Sequence, residues 1–132
     1  MYAAFRVSNL DLRFLVDTGA AVSLIPHHFC RNLIIESSEV KLQSAESAPI
    51  KVSGECRLQL NNADLKRSFT WTFVVADVQH PIIGIDFLSQ FSLLVDCRRH
   101  HLQDGVTGLK AHCTTTSLPS PQPIFVINNF PS

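Results

Sequence analysis

The stretch from residue 14 to residue 20 places one carboxyl group where it could do chemistry. It reads Phe-Leu-Val-Asp-Thr-Gly-Ala, so an apolar strand ends at Asp17 and a tight turn at Thr18 and Gly19 follows. A carboxyl group held on such a turn can act as a general acid or base. The alternative is a turn residue that caps its own backbone beside Gly19. The sequence has no second Asp-Thr-Gly, so one chain supplies one such carboxyl.

Histidines and cysteines are the main alternative to a carboxylate site. They form three clusters, at residues 27–30, 97–101 and 112–113. Their spacings match no common zinc motif, and we predict neither a metal site nor a cofactor. No Ser or Cys lies in a Gly-x-Ser-x-Gly turn or a comparable signature, which argues against an enzyme with a side-chain nucleophile.

The composition narrows the class of protein. A chain of 132 residues that is 45% hydrophobic fits one globular domain of ordinary size. Eleven basic and eleven acidic residues cancel without long blocks of one sign, so we expect no nucleic-acid or membrane partner. No apolar run approaches the roughly 20 residues that span a bilayer. The four cysteines lack paired spacing, which favours reduced thiols in an intracellular protein.

The elements that must position Asp17 are predicted to be short strands. Apolar alternation and apolar runs predict strands at residues 3–7, 10–16, 21–25, 33–35, 40–42, 49–52, 56–60, 66–77, 81–85, 93–95 and 101–102. In the longest of these, Phe69, Trp71, Phe73 and Val75 share one face, which predicts a strand of the core.

Many short strands with little helix predict an all-β protein of the barrel or sandwich class. Asp86 is predicted to cap a brief helix that ends at Gln90. We predict one folded domain over residues 1–107 and a proline-containing linker or tail over residues 108–132. Within that tail, residues 124–127 are apolar enough to dock on the folded part.

Three segments together resemble the retropepsin-type aspartic proteases, in particular the protease domain of gypsy-like LTR retrotransposon polyproteins. They are residues 14–20, the polar hairpin near residues 45–50, and the Ile-Ile-Gly-Ile-Asp-Phe-Leu run at residues 82–88. Their order and separation fit the family over most of residues 5–105. The resemblance implies a small β-barrel with one short C-terminal helix, a flap hairpin and a single catalytic loop per protomer.

The resemblance also implies an aspartic endopeptidase that is active as a homodimer. Asp17 of each protomer would meet its twin on the two-fold axis, where two carboxyls about 3 Å apart share one proton. Thr18 would send its hydroxyl to the partner loop's backbone, and Gly19 would allow close approach because it has no Cβ. Ala20 would border the substrate.

The remaining substrate contacts follow from the same resemblance. Residues 43–51 correspond to the flap, which closes over a bound peptide, although the glycines usual at a flap tip are absent. The predicted contacts in this hairpin are Ala45, Glu46, Ser47 and Ile50. Ile82 and Ile83 would lie near the side-chain pockets; the alternative is that both belong to the core.

The implied substrate is a polypeptide, namely the polyprotein that contains this domain, in the cytoplasm or within a virus-like particle. Many retroviral members carry an Asp–Arg ion pair at positions that are Ala21 and Ile85 here. A different class of function also fits the fold: a proteolytically inactive module for dimerisation or peptide binding. The intact Asp-Thr-Gly favours the enzyme, whereas the unusual flap favours the module.

Overall fold

The computed structural model describes residues 1–30, 32–115 and 123–127. These residues form twelve strands, a 3-10 turn at His27–Cys30 and one α-helix, α1, at Ile85–Gln90. The strands are β1 Tyr2–Val7, β2 Leu10–Val16, β3 Leu24–Pro26, β4 Leu42–Ser44, β5 Pro49–Ile50, β6 Val52–Asn62, β7 Arg67–Ala76, β8 Ile82–Ile83, β9 Leu93–Asp96, β10 His101–Asp104, β11 Lys110–His112 and β12 Ile124–Val126.

Six strands close into a barrel in the order β1-β2-β8-β3-β7-β6, and β6 pairs back onto β1. The longest hairpin of this barrel is β6–β7, in which a bulge between Val52 and Gly54 bends the first strand. Strands β9, β10 and β11 form one smaller sheet, and β5, β4 and β12 form another. This barrel with one short helix confirms the predicted all-β class.

Aromatic side chains fill the barrel and anchor the strand that leads to Asp17. Phe14 is fully buried, and its ring lies 5.5 Å from that of Phe5 and 5.7 Å from that of Phe73. Burying one such side chain contributes about 1.5–3 kcal/mol. The predicted core strand is confirmed as β7, in which Phe69, Phe73 and Val75 are all inaccessible to solvent.

Three predicted strands differ most from the structure. Of the run at residues 40–42, only Leu42 belongs to a strand, as the first residue of β4. The run at residues 21–25 becomes a strand only at Leu24–Pro26, and residues 33–35 form none. Ile34 is 84% exposed, and the chain pairs with β6 only through a single bridge between Glu36 and Glu55, although Ile35 packs against the barrel core. The helix does end at Gln90, but its N-cap is Gly84. Asp86 lies in the first turn, where its Oδ1 accepts the Phe87 N–H at 2.8 Å and also has side-chain partners.

Strand pairing continues past the boundary that we predicted at residue 107. Strand β11 lies beyond that point and pairs with β10, with Leu102 opposite Ala111. The backbones of Tyr2 and Thr114 then exchange hydrogen bonds of 2.7 and 2.9 Å. Of the predicted tail, residues 116–122 and 128–132 lie outside the described residues, whereas residues 124–126 dock as β12. In the described part of the chain, no helix is long and apolar enough to cross a membrane.

Candidate active site

Strands β2 and β8 together position Asp17. They run parallel, with Leu15 opposite Ile82 and Val16 opposite Ile83. Immediately after β2, the Asp17 N–H donates to the Ile83 carbonyl oxygen at 2.9 Å, and the Ala20 N–H donates to the Asp17 carbonyl oxygen at 3.1 Å. The two segments that we singled out in the sequence, residues 14–20 and 82–88, are therefore neighbours in the barrel.

The Asp17 carboxyl is buried, and only one of its two oxygens has a hydrogen-bond partner among the described residues. Asp17 is 7% exposed, and its Oδ1 accepts the Gly19 N–H at 2.9 Å. Oδ2 is buried and has no hydrogen-bond partner among the described residues. Burial raises the pKa of this carboxyl above its ordinary value of 3.8, while the Gly19 N–H opposes the rise by stabilising the charged form. Such a carboxyl keeps its proton to a higher pH than an exposed aspartate does.

Thr18 and Gly19 lie at the exposed tip of the turn. A Cβ added to Gly19 would lie only 3.2 Å from Asp17 Oδ1, so the absence of a side chain lets the carboxyl fold back onto its own loop. Ala20 is fully buried, and its carbonyl oxygen accepts the Ile85 N–H at 2.9 Å. Residues 17–20, the Asp17 loop, are thus joined at both ends to the β8–α1 segment.

A hairpin stands where the flap was expected, at strands β4 and β5. Ala45, Glu46 and Ser47 form its exposed tip, and Ser47 adopts a left-handed φ of +64°, a conformation that glycine takes more readily. The Ser44 N–H donates to the Ala48 carbonyl oxygen at 2.8 Å, which closes the turn. The hairpin therefore forms without the usual glycines.

An apolar cluster lies between the Asp17 loop and the β4–β5 hairpin. Ile82 belongs to this cluster, and the half-buried Ile50 packs against it. Its buried members are Leu15, Ala20, Leu24, Leu42, Val74, Ala76, Ile82 and Ile124. Ile83 is fully buried in the separate barrel core, because adjacent strand residues point to opposite faces. The structure thus brings Ile82 and Ile50 to Ala20, whereas Ile83 belongs to the core and Ala45, Glu46 and Ser47 remain at the exposed tip.

A hydrogen-bond network lies behind the Asp17 loop, and our sequence analysis did not predict it. Ser23 Oγ accepts the Gly84 N–H at 2.9 Å and donates to Asp86 Oδ1 at 2.8 Å. Trp71 Nε1 donates to Asp86 Oδ2 at 2.9 Å. This network joins the segment after the Asp17 loop to the start of α1 and to β7. The available signal was Ser23 itself, a polar residue within an apolar run, which needs a partner when it is buried.

We expect Ser23→Ala to lower the free energy of unfolding by about 1–3 kcal/mol. The change removes both the acceptor of the Gly84 N–H and a donor to Asp86 at a site with no access to solvent. Urea denaturation followed by circular dichroism measures it. Ser37→Ala, at an exposed serine, is the matched control and should change stability by less than about 0.5 kcal/mol. An equal, small effect of both changes would contradict the proposed contribution of the network.

The described residues contain no group of three or more His, Cys, Asp or Glu side chains that could hold a metal ion. The Sγ atoms of Cys30 and Cys56 lie 3.8 Å apart in the core. Burial raises the pKa of Cys56 to about 12, so this residue is a neutral thiol and a poor nucleophile at neutral pH.

The chain is similar to known proteins in sequence family and in fold. A family model described as "Retroviral aspartyl protease" matches residues 2–96. Among solved structures, the chain is similar to the retroviral protease-like domain of Ddi1 from Leishmania major, with a TM-score of 0.66 and 15% identity over 87% of this chain and 94% of that chain. It is also similar to the EIAV protease complexed with the inhibitor HBY-793, with a TM-score of 0.57 and 16% identity over 70% and 88%. No curated protein sequence matches the chain.

Proposed function

The chain belongs to the retroviral aspartyl protease family, and on that basis we propose that it is an aspartic endopeptidase that works as a homodimer. The observation that carries the proposal is Asp17, a buried carboxyl at the end of β2 with one oxygen free of hydrogen bonds among the described residues. One chain supplies one Asp-Thr-Gly, so a second copy must supply the other carboxyl. Thr18 is exposed beside it and available to a partner loop.

The proposed chemistry needs two carboxyls that share one proton. The charged carboxylate takes a proton from water as the water oxygen bonds to the scissile carbonyl carbon, and the neutral carboxyl gives its proton to the carbonyl oxygen. As this tetrahedral intermediate collapses, one of its hydroxyl groups returns a proton to the charged carboxylate, the C–N bond breaks, and the departing amine takes the proton of the neutral carboxyl. The pair is then left with one shared proton, as it began. Burial of Asp17 supports this scheme, because it favours the protonated form that the shared proton requires.

The proposed substrate is an extended peptide with apolar residues flanking the scissile bond. The apolar cluster around Ala20, Ile50 and Ile82 supports this preference. We further propose that the natural substrate is the parent polyprotein of a gypsy-like LTR retrotransposon, cleaved in the cytoplasm or within a virus-like particle. The three segments at residues 14–20, 45–50 and 82–88 support that origin.

A second function is favoured by one observation at the flap. The tip carries no glycine, and Ser47 holds a left-handed φ that other residues adopt at some cost. A flap that moves less readily would suit a module that binds peptides or dimerises without cleaving them. The same fold would then serve recognition alone.

We expect the chain to hydrolyse a fluorogenic peptide with apolar residues at the scissile bond, fastest in mildly acidic solution. The rate should fall as the pH rises through the raised pKa of Asp17, because the pair then loses its shared proton. It should also fall in strong acid, where both carboxyls are protonated. A profile of kcat/KM against pH measures both limbs, and sedimentation velocity in the same buffers measures the dimer.

A pepstatin-type inhibitor is the control, and it should abolish the cleavage. A dimer that cleaves no peptide at any pH would favour the binding module. A rate that rises steadily into alkaline solution would contradict a pair of carboxyls sharing one proton.

A further inference from the structure

The C-terminal strand of the chain lies on the flap. Strand β12 pairs antiparallel with β4, with Ile124 opposite Ser44, Phe125 opposite Gln43 and Val126 opposite Leu42. Beyond it, the Ile127 N–H donates to the Lys41 carbonyl oxygen at 2.8 Å. The segment thus adds a third strand to the flap hairpin, as an extended peptide does when it binds to an open sheet edge.

The other edge of the same strand faces the catalytic loop. Ile124 forms a parallel bridge with Ala20, and its carbonyl oxygen accepts the Ala21 N–H at 3.4 Å. A Cβ added to Gly19 would lie 3.8 Å from the Cα atom of Pro123. Residues 123–127 therefore run between the flap and the turn that carries Asp17, which is the space that an extended substrate needs.

The side chains of this segment alternate as those of a bound strand do. Ile124 is 9% exposed and joins the apolar cluster with Ala20, Leu42 and Ile82. Phe125 points the other way and is 51% exposed. Backbone hydrogen bonds along two edges and one buried aliphatic side chain give the segment both register and affinity.

We propose that residues 123–127 occupy the substrate strand of their own protomer and act as an intramolecular competitor of peptide binding. The proposal rests on the proposed function in one respect, that the space between flap and loop is the peptide site. It also names the preferred peptide: an extended segment with a branched aliphatic residue beside Ala20, followed by a residue whose side chain faces away from the cluster.

The expected strength of this competition follows from mass action. A segment joined to its site by a short stretch of chain competes at an effective concentration on the order of millimolar. If the isolated peptide binds with a Kd of about 0.1 mM, the attached segment weakens the binding of a free peptide by roughly tenfold. Releasing the segment should strengthen the binding of a free peptide by the same factor.

The test compares full-length chains that differ at two neighbouring positions, all in an Asp17→Asn background so that no peptide is cut. The probe is a fluorescently labelled peptide with the sequence of residues 123–127, and fluorescence anisotropy measures its Kd. Ile124→Asp places a charge in the apolar cluster and should release the segment, so that the probe binds about tenfold more tightly. Phe125→Asp adds the same charge at an exposed side chain and should leave the Kd unchanged.

Equal probe affinity for all three chains would overturn the proposal, and so would an equal gain from both changes. A gain that disappears on dilution would overturn the assignment to the same protomer. Circular dichroism of each chain checks that the barrel, which does not include β12, remains folded. The measurement needs no catalysis, so failure of the protease assignment appears separately, as absence of cleavage by the chain with Asp17 intact.

Discussion

Replacing Asp17 with asparagine is expected to lower kcat/KM for peptide hydrolysis by at least about a thousandfold, because the amide can neither take a proton from water nor share one with its twin. The two Asp17 residues of the proposed dimer act as a unit, so both are lost in one substitution. A fluorogenic peptide assay in mildly acidic solution measures the change.

Two controls separate this chemical effect from a loss of structure. Asp64→Asn removes a carboxyl from an exposed turn and should leave kcat/KM unchanged. Asp17→Asn should melt at the same temperature as the unaltered chain, or higher, at neutral pH. Burial raises the pKa of Asp17, so the charged carboxylate destabilises the folded chain. This loss of stability begins as the pH rises above the ordinary pKa of 3.8 and is complete once the pH passes the raised value. Full activity of the asparagine variant would refute the assigned role.

The second large effect is expected at Gly84, behind the catalytic loop. A Cβ at this position would lie 2.6 Å from the Val22 carbonyl oxygen and 2.7 Å from that of Ala20. Both are backbone atoms that cannot turn away. We expect Gly84→Ala to cost roughly 3 kcal/mol of stability and to lower Tm by about 10 °C, because β8 must move away from the loop. Thermal unfolding followed by circular dichroism measures this change.

The matched control for Gly84 is Gly108→Ala. Gly108 has open space around its Cα atom but a left-handed φ of +75°, so alanine there should cost only about 1 kcal/mol. Gly84 has a φ of −98°, which any residue can adopt, so its cost comes from close contact alone. A smaller loss at Gly84 than at Gly108 would contradict the steric argument. If Gly84→Ala also lowers peptidase activity, we expect the displacement of Asp17 to be the cause.

Local sequence patterns predicted most of the strands correctly. Strand β7 follows from alternating aromatic residues, and the turn at Asp17 follows from an apolar run that meets glycine. Residues 33–35 show the limit of such reasoning. Their apolar side chains satisfy the strand pattern, but Ile34 is exposed, and the chain pairs with β6 only through the single bridge between Glu36 and Glu55. Whether an apolar run becomes a strand depends on a partner elsewhere in the chain.

The sequence by itself determined the residue types of the site: a carboxyl on a glycine turn, an apolar run ending in Gly84, and a polar hairpin between them. These depend on side-chain chemistry and on spacing within a few residues. Only the tertiary structure decided that Ser23 binds Asp86, that Ile82 and not Ile83 faces Ala20, and that β12 lies on the flap. Each of these contacts joins residues more than 60 positions apart, and their register is set when the whole barrel packs rather than by any local pattern.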